Sequence, residues 1–332
     1  MKLQERITLL ARLGDYMVST APEWSEAKEL AQRQNGWFIQ EFIELACSNI
    51  AHQYLNRDLL ESWVASYNVP PVNPSPRKVG IVMAGNIPLV GFHDWLCVFI
   101  TGHIAMVKPS SKDEVLIKHL IGVLINWDPR VAELTLIREM LKDCDAYIAT
   151  GSNNSAGYFE YYFGKYPHII RRNRSSVAIL TGTETAGELD KLADDIMMYF
   201  GLGCRNVTKI MVPRDYNFEP LINALKKYDY LGDHNKNKNN YDYNLALHIL
   251  NNQFYMSTLA VLLVEKESVF SPISQVNYEF YDDRELTIKL LKDNTDLQCL
   301  VGTGQTAFGQ AQFPAINDYA DGVDTMNFLT KL

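Results

Sequence analysis

Over residues 1–66 the apolar positions recur at helical spacing: Ile7, Leu10, Leu13 and Met17 form one stripe, and Trp37, Phe38, Phe42, Leu45 and Ile50 a second. Stripes of this kind mark the buried faces of helices, so these aromatics are read as packing residues. Residues 70–76 then carry four prolines in seven positions, which excludes a helix and predicts a stiff, extended connector. Beyond it the period changes. Residues 78–83 form an almost uninterrupted apolar run, as in a strand covered on both faces. Residues 89–99 read as a helix, 105–107 as a strand ending in the polar loop Lys108-Pro109-Ser110-Ser111, 112–125 as an amphipathic helix and 145–150 as another strand. This βαβα order predicts a parallel, right-handed α/β sheet with ligands at the carboxyl ends of its strands, where Asn86 and Lys108 fall.

The second half repeats the alternation. Strands are expected at 177–180, 207–213, 259–264 and 276–281, helices at 218–228 and 243–249, and an exposed loop across the Asn- and Lys-rich residues 232–240. Residues 302–332 lack strong periodicity. At 332 residues and 47% hydrophobic, the chain can bury a large core and is expected to form two domains. The formal net charge of -8 speaks against nucleic acid or an anionic membrane surface as the main partner.

Five cysteines, Cys47, Cys97, Cys144, Cys204 and Cys299, are widely spaced, without CxxC or Cys/His pairing, so neither a disulfide framework nor a metal site is expected. A reducing cytoplasm fits this usage. The start MKLQERITLL lacks the apolar core of a signal peptide, and the run from 89 to 107 is broken by Asp94, Gly102 and His103, so no membrane span is expected.

The candidate chemistry centres on Tyr199-Phe200-Gly201-Leu202-Gly203-Cys204-Arg205-Asn206, between a helical and an extended segment. Its two glycines let the backbone turn sharply and come close to a substrate. A thiol there is placed as a nucleophile, with Arg205 able to lower its pKa, or it is a buried core cysteine. Gly151-Ser152 is either a helix cap or a phosphate site at a helix N-terminus. Arg171, Arg172 and Arg174 form a basic cluster that is either a solvated face or a holder of cofactor phosphates. Neither GxGxxG nor GxxxxGK[ST] occurs.

Several segments in order resemble the aldehyde dehydrogenase superfamily, and more closely the acyl-CoA reductases typified by the reductase subunit of the luminescent-bacterial fatty acid reductase complex. They are residues 84–93 (AGNIPLVGFH), 107–111 (VKPSS), 150–152 (TGS), 201–204 (GLGC) and 268–273 (SVFSPI). The resemblance implies an α/β, aldehyde-dehydrogenase-like fold of two Rossmann-like parallel-sheet domains with a shortened N-terminal helical region. Residues 1–174 would hold the helices and the cofactor domain, 175–308 the catalytic domain, and 309–332 a segment packing back on the body. It also implies that Cys204 is the nucleophile and that the Asn86 side chain joins the Cys204 backbone N–H in an oxyanion hole; read alone, Asn86 is a turn residue before Ile-Pro.

The same resemblance assigns Lys108, Ser110, Ser111, Gly151, Ser152 and, at the position of a ribose-binding glutamate, Ser268 to a nicotinamide cofactor. A carboxylate where Ser111 stands would repel a 2′-phosphate, so NADPH is expected rather than NADH. Hydrolytic members of the family carry a glutamate general base some thirty-odd residues before the cysteine. Here that region reads His168-Ile169-Ile170-Arg171-Arg172-Asn173, without a carboxylate. The implied reaction is therefore NADPH-dependent reduction of an acyl-CoA, of fatty acyl type, to the aldehyde through an acyl-cysteine thioester, with release of CoA. The alternatives are a reductase of an acyl-protein thioester or acyl phosphate, an aldehyde dehydrogenase, and an inactive scaffold for an acyl-activating protein. An acyl-activating or acyl-transferring partner and a homo-oligomer are compatible with each. His93 is a candidate acid or a packed helix histidine.

Overall fold

A computed structural model describes residues 1–332, which divide into two compact units: Met1–Asn173 with Pro314–Leu332, and Arg174–Phe313. The first unit opens with four helices, α1 (Leu3–Met17), α2 (Pro22–Gln34), α3 (Gln40–Tyr54) and α4 (Arg57–Ser66). The α1 stripe Ile7, Leu10, Leu13 and Met17 is wholly buried, and Asn56 caps α4 by accepting the N–H groups of Asp58 and Leu59. The proline stretch is non-helical, as expected, but bends at residues 71–72 and 74–75 rather than running extended, and the carbonyl of Pro71 accepts the Leu3 N–H at 2.7 Å.

Then come β1 (Lys78–Val82), α5 (Phe92–Ile100), β2 (Ile104–Lys108), α6 (Val115–Trp127), α7 (Val131–Leu134), β3 (Thr135–Ile137), β4 (Ala146–Thr150), α8 (Asn153–Phe163) and β5 (His168–Arg171). The sheet order is β3-β2-β1-β4-β5 and every pairing is parallel. The chain builds outward from β1 on one side and then returns to place β4 on the other, so the strand order reverses between β1 and β4. Two edge strands were not expected from the periodicity. β3 spans only three residues, and β5 forms within the basic segment, where Ile169 and Arg171 turn inward and His168 outward.

The second unit contains β6 (Ser175–Ile179), α9 (Ala186–Met197), β7 (Val207–Pro213), α10 (Glu219–Leu225), α11 (Asn235–Leu250), β8 (Met256–Ser257), β9 (Leu262–Glu265), β10 (Gln275–Tyr281), α12 (Arg284–Lys292) and β11 (Leu297–Val301). Its sheet order is β11-β6-β7-β10-β9-β8, parallel except for β8, which pairs antiparallel to β9 and makes the sheet mixed at that edge. Helix α9 starts with a capping box between Thr185 and Glu188. The expected loop at 232–240 is corrected: from Asn235 onward it is helix. Asn237 is buried there, its Nδ2 donating to the Ala260 carbonyl at 3.2 Å and its Oδ1 accepting from Ser274 Oγ at 2.8 Å. Tertiary hydrogen bonds thus override the turn preference of asparagine.

The chain finally returns to the first unit and forms α13 (Thr325–Leu329) in the tail that showed no periodicity. Met326 and Leu329 are fully buried there, and Trp63 Nε1 donates to the Tyr319 hydroxyl at 2.9 Å.

Candidate functional site

In the first unit, three loops leave the carboxyl ends of β1, β2 and β4, around the reversal of strand order where ligands of open α/β sheets bind. Asn86 is exposed in the first. The first two are tied together. A Cβ on Gly85 would fall 2.6 Å from Ser110 Oγ, so only glycine permits this approach, and the Leu89 N–H donates to Asp113 Oδ2 at 2.6 Å. Lys108, the last residue of β2, and Ser111 on the second loop are exposed, whereas Ser110 Oγ accepts the Lys112 N–H at 3.3 Å. In the third loop Gly151 donates its N–H to the Arg171 carbonyl at 3.2 Å, and Ser152 caps α8 by accepting the Ser155 N–H at 3.3 Å. The structure therefore brings Asn86, Lys108, Ser110 and Ser111 onto two joined loops, with Gly151 and Ser152 on the loop that follows the neighbouring strand β4. Exposed ammonium and hydroxyl donors at the carboxyl ends of parallel strands fit a phosphate-bearing cofactor.

In the second unit, Cys204 is half-buried in the turn before β7, at the amino ends of β6, β7 and β11. Approaching it, Tyr199, Phe200 and Gly201 all take left-handed backbone, with φ of 54°, 56° and 71°. Two successive non-glycine residues in this region store strain that only their surroundings can hold. Asn206 supplies much of that hold. Its side chain is buried, its Oδ1 accepts the Gly203 N–H at 2.8 Å, and its Nδ2 donates to the carbonyls of Asp195, Ile196 and Met198. Asp195 in turn accepts the N–H groups of Gly309 at 2.7 Å and Ala311 at 3.0 Å, and burial pushes its carboxyl up to about 6.

Ser176 Oγ donates to the Cys204 carbonyl at 3.1 Å and lies 3.0 Å from Cys299 Sγ. Burial raises the Cys299 thiol, against the opposing pull of Ser176 and of the Arg205 charge. The loop bearing Ser268 docks on β7 and β10: Thr208 Oγ1 of β7 donates to the Val269 carbonyl at 2.6 Å and Asn277 Nδ2 of β10 to the Ser268 carbonyl at 2.8 Å. Ser268 Oγ turns back on its own loop, donating to the Phe270 carbonyl at 2.9 Å.

The two readings of His93 are resolved, and the basic cluster is corrected. His93 is the packed helix histidine: its ring lies 2.8 Å from the Ile316 carbonyl through Nε2 and sits among Tyr54, Trp63 and Tyr319. The basic cluster does not converge on a phosphate site. Arg171 is buried, paired with Asp94 at 2.5 Å and donating to Thr325 Oγ1 at 2.9 Å. Arg172 pairs with Glu160 at the surface, and Arg174 donates to the Leu297 carbonyl. Asn206 and Ser176 were missed; each stands near a legible feature, the cysteine turn or a strand start, but nothing in their spacing announces burial.

No family model matches this chain, and no curated protein matches it by sequence. Solved structures do. Indole-3-acetaldehyde dehydrogenase in complex with NAD+ is similar with a TM-score of 0.69 at 13% identity, over 91% of this chain and 72% of that one. Gamma-glutamyl-gamma-aminobutyraldehyde dehydrogenase from Burkholderia cenocepacia gives 0.68 at 12% identity, over 91% and 71%. Succinic semialdehyde dehydrogenase from Streptococcus pyogenes, in complex with NADP+, gives 0.66 at 11% identity, over 90% and 76%. The fold is the aldehyde dehydrogenase fold. With it, the α/β class expected from the strand and helix order is established, and no helix is long and apolar enough to cross a membrane.

Proposed function

We propose that this protein is a nicotinamide-dependent oxidoreductase that reduces an acyl thioester, of acyl-CoA type, to an aldehyde through Cys204. The observation that supports it most is the placement of Cys204: a half-buried thiol on a strained, hydrogen-bonded turn of an aldehyde dehydrogenase fold. In this reading the Cys204 thiolate attacks the thioester carbonyl carbon, the carbon–sulfur bond to CoA breaks, and the departing thiolate takes up a proton. Negative charge on the carbonyl oxygen is met by the Cys204 backbone N–H and the Asn86 carboxamide, the pair that the family resemblance assigns. A bound nicotinamide cofactor, NADPH by the same resemblance, would supply hydride to the acyl carbon; the bond from that carbon to Cys204 Sγ would then break, releasing the aldehyde and regenerating the thiolate. Lys108, exposed at the carboxyl end of β2, and Ser111, exposed on the loop after it, are assigned to its adenosine end.

The choice of reduction over hydrolysis follows from the segment 168–173. It has no carboxylate, and its Arg171 is buried against Asp94, which leaves no general base in that segment to activate water. The second reading, an aldehyde dehydrogenase, is favoured by the activities named for the similar solved structures. Incubation with acyl-CoA followed by mass spectrometry tests the nucleophile: an acyl adduct is expected on the wild type and none on Cys204→Ala. An adduct that persists in the variant rejects the assignment. Aldehyde formed from acyl-CoA and NADPH supports the reductase, whereas NADP+ reduction by aldehyde without CoA selects the dehydrogenase. A clear preference for NADH removes the cofactor assignment.

A further inference from the structure

We propose that Asn206 and Ser176 are positioning residues that clamp the peptide on both sides of Cys204, so that its thiol is presented in a single orientation for acyl transfer. This rests on Cys204 as the nucleophile. On the upstream side, Asn206 Oδ1 accepts the Gly203 N–H at 2.8 Å, while Nδ2 donates to the carbonyls of Asp195 at 3.1 Å, Ile196 at 3.3 Å and Met198 at 2.8 Å. The Asn206 backbone N–H closes the same turn by donating to the Gly203 carbonyl at 3.1 Å. One carboxamide thus joins the end of α9, where the left-handed residues depart, to the residue preceding the cysteine. The strain at Tyr199 and Phe200 cannot relax without breaking these bonds.

On the downstream side, Ser176 Oγ donates to the Cys204 carbonyl at 3.1 Å. The same hydroxyl lies 3.0 Å from Cys299 Sγ, which ties Ser176 to the neighbouring strand β11 as well. Ser176 and Asn206 are both fully buried, and buried polar side chains in such satisfied networks specify one arrangement of the backbone they hold.

The test uses the full chain and p-nitrophenyl acetate, an activated acyl donor that needs no CoA recognition. The burst of p-nitrophenolate reports acylation of Cys204, and iodoacetamide alkylation of the same residue reports simple access to the thiol. Asn206→Asp keeps the acceptor for Gly203 but loses the amide donors; Ser176→Ala removes the downstream anchor. Each variant is expected to acylate roughly 10-fold more slowly per folded molecule, the equivalent of one lost hydrogen bond expressed in the transition state. Alkylation should change by less than about 3-fold, since that attack develops no oxyanion and demands less orientation. A residue that served stability alone would lower the melting temperature and leave both rates per folded molecule intact, and that result overturns the clamp. Should Asn206→Asp fail to fold, Ser176→Ala decides by the same criterion. No burst in the wild type would reject Cys204 itself, whereas a normal burst in both variants rejects only the clamp.

Discussion

Leu89 sits at φ 56°, a left-handed conformation that branched apolar residues rarely adopt, and its N–H is held by Asp113 Oδ2 at 2.6 Å. That carboxyl is buried, its Oδ1 has no hydrogen-bond partner, and burial pushes it up to about 7. An unfolded aspartate titrates near 3.9. Below that the acid is protonated in both states and costs nothing; as pH rises toward 7 the unfolded chain releases the proton first, so stability falls across this window and is level above it. Asp113→Asn removes the ionisation while keeping an acceptor for Leu89. Its melting temperature relative to the wild type should therefore climb between pH 4 and pH 7, by the equivalent of a few kcal/mol at most. Parallel melting curves at every pH would reject this account. On the same loop, the oxyanion role proposed for Asn86 predicts that Asn86→Ala slows acylation of Cys204 by about 10²-fold, the usual loss for such a donor, and an unchanged acylation rate would reject that role.

Among the elements, β5 shows what a sequence hides. Its Arg171 reads as part of a charged run, yet it is buried, with Nη1 on Asp94 of α5 and Nη2 on Thr325 of α13. Arg171→Met should destabilise the first unit by about 3–5 kcal/mol because Asp94 is left as an uncompensated buried charge. Arg172→Ala, removing a surface pair with Glu160, should cost under about 1 kcal/mol. Chemical denaturation compares the two; equal losses would mean that Arg171 is not the anchor its burial indicates. The elements that periodicity did reveal, α1, β1, β2 and β4, are those with continuous apolar runs or stripes, and β10 showed through the alternation of Val276, Tyr278 and Phe280. Those it hid, β3, β5 and the start of α11, are short edges or carry polar side chains inward. The candidate loops were legible for a related reason, since Gly85, Pro88, Gly201 and Gly203 punctuate them. Asn206 and Ser176 were not, because a buried hydrogen bond between distant segments leaves no spacing in the sequence.

At the scale of the molecule, the second unit, Arg174–Phe313, is continuous in sequence, whereas the first includes the last nineteen residues, Pro314–Leu332. The returning segment is tightly joined to the first unit: Trp63 Nε1 donates to Tyr319, Tyr67 donates to Asp324 at 2.9 Å, and the Leu329 carbonyl lies 3.0 Å from His103 Nε2. Met326 and Leu329 are fully buried, and each side chain contributes about 2 kcal/mol of burial. The distribution of tryptophan makes this measurable. All five, Trp24, Trp37, Trp63, Trp95 and Trp127, lie in the first unit, so indole fluorescence reports that unit alone while far-ultraviolet circular dichroism reports both. Truncation after Phe313 should shift the fluorescence transition to lower denaturant and leave a separate, later dichroism transition from residues 174–313, which should also unfold cooperatively when expressed alone. A truncated chain whose two signals still coincide at the wild-type midpoint would show that the first unit closes without its tail.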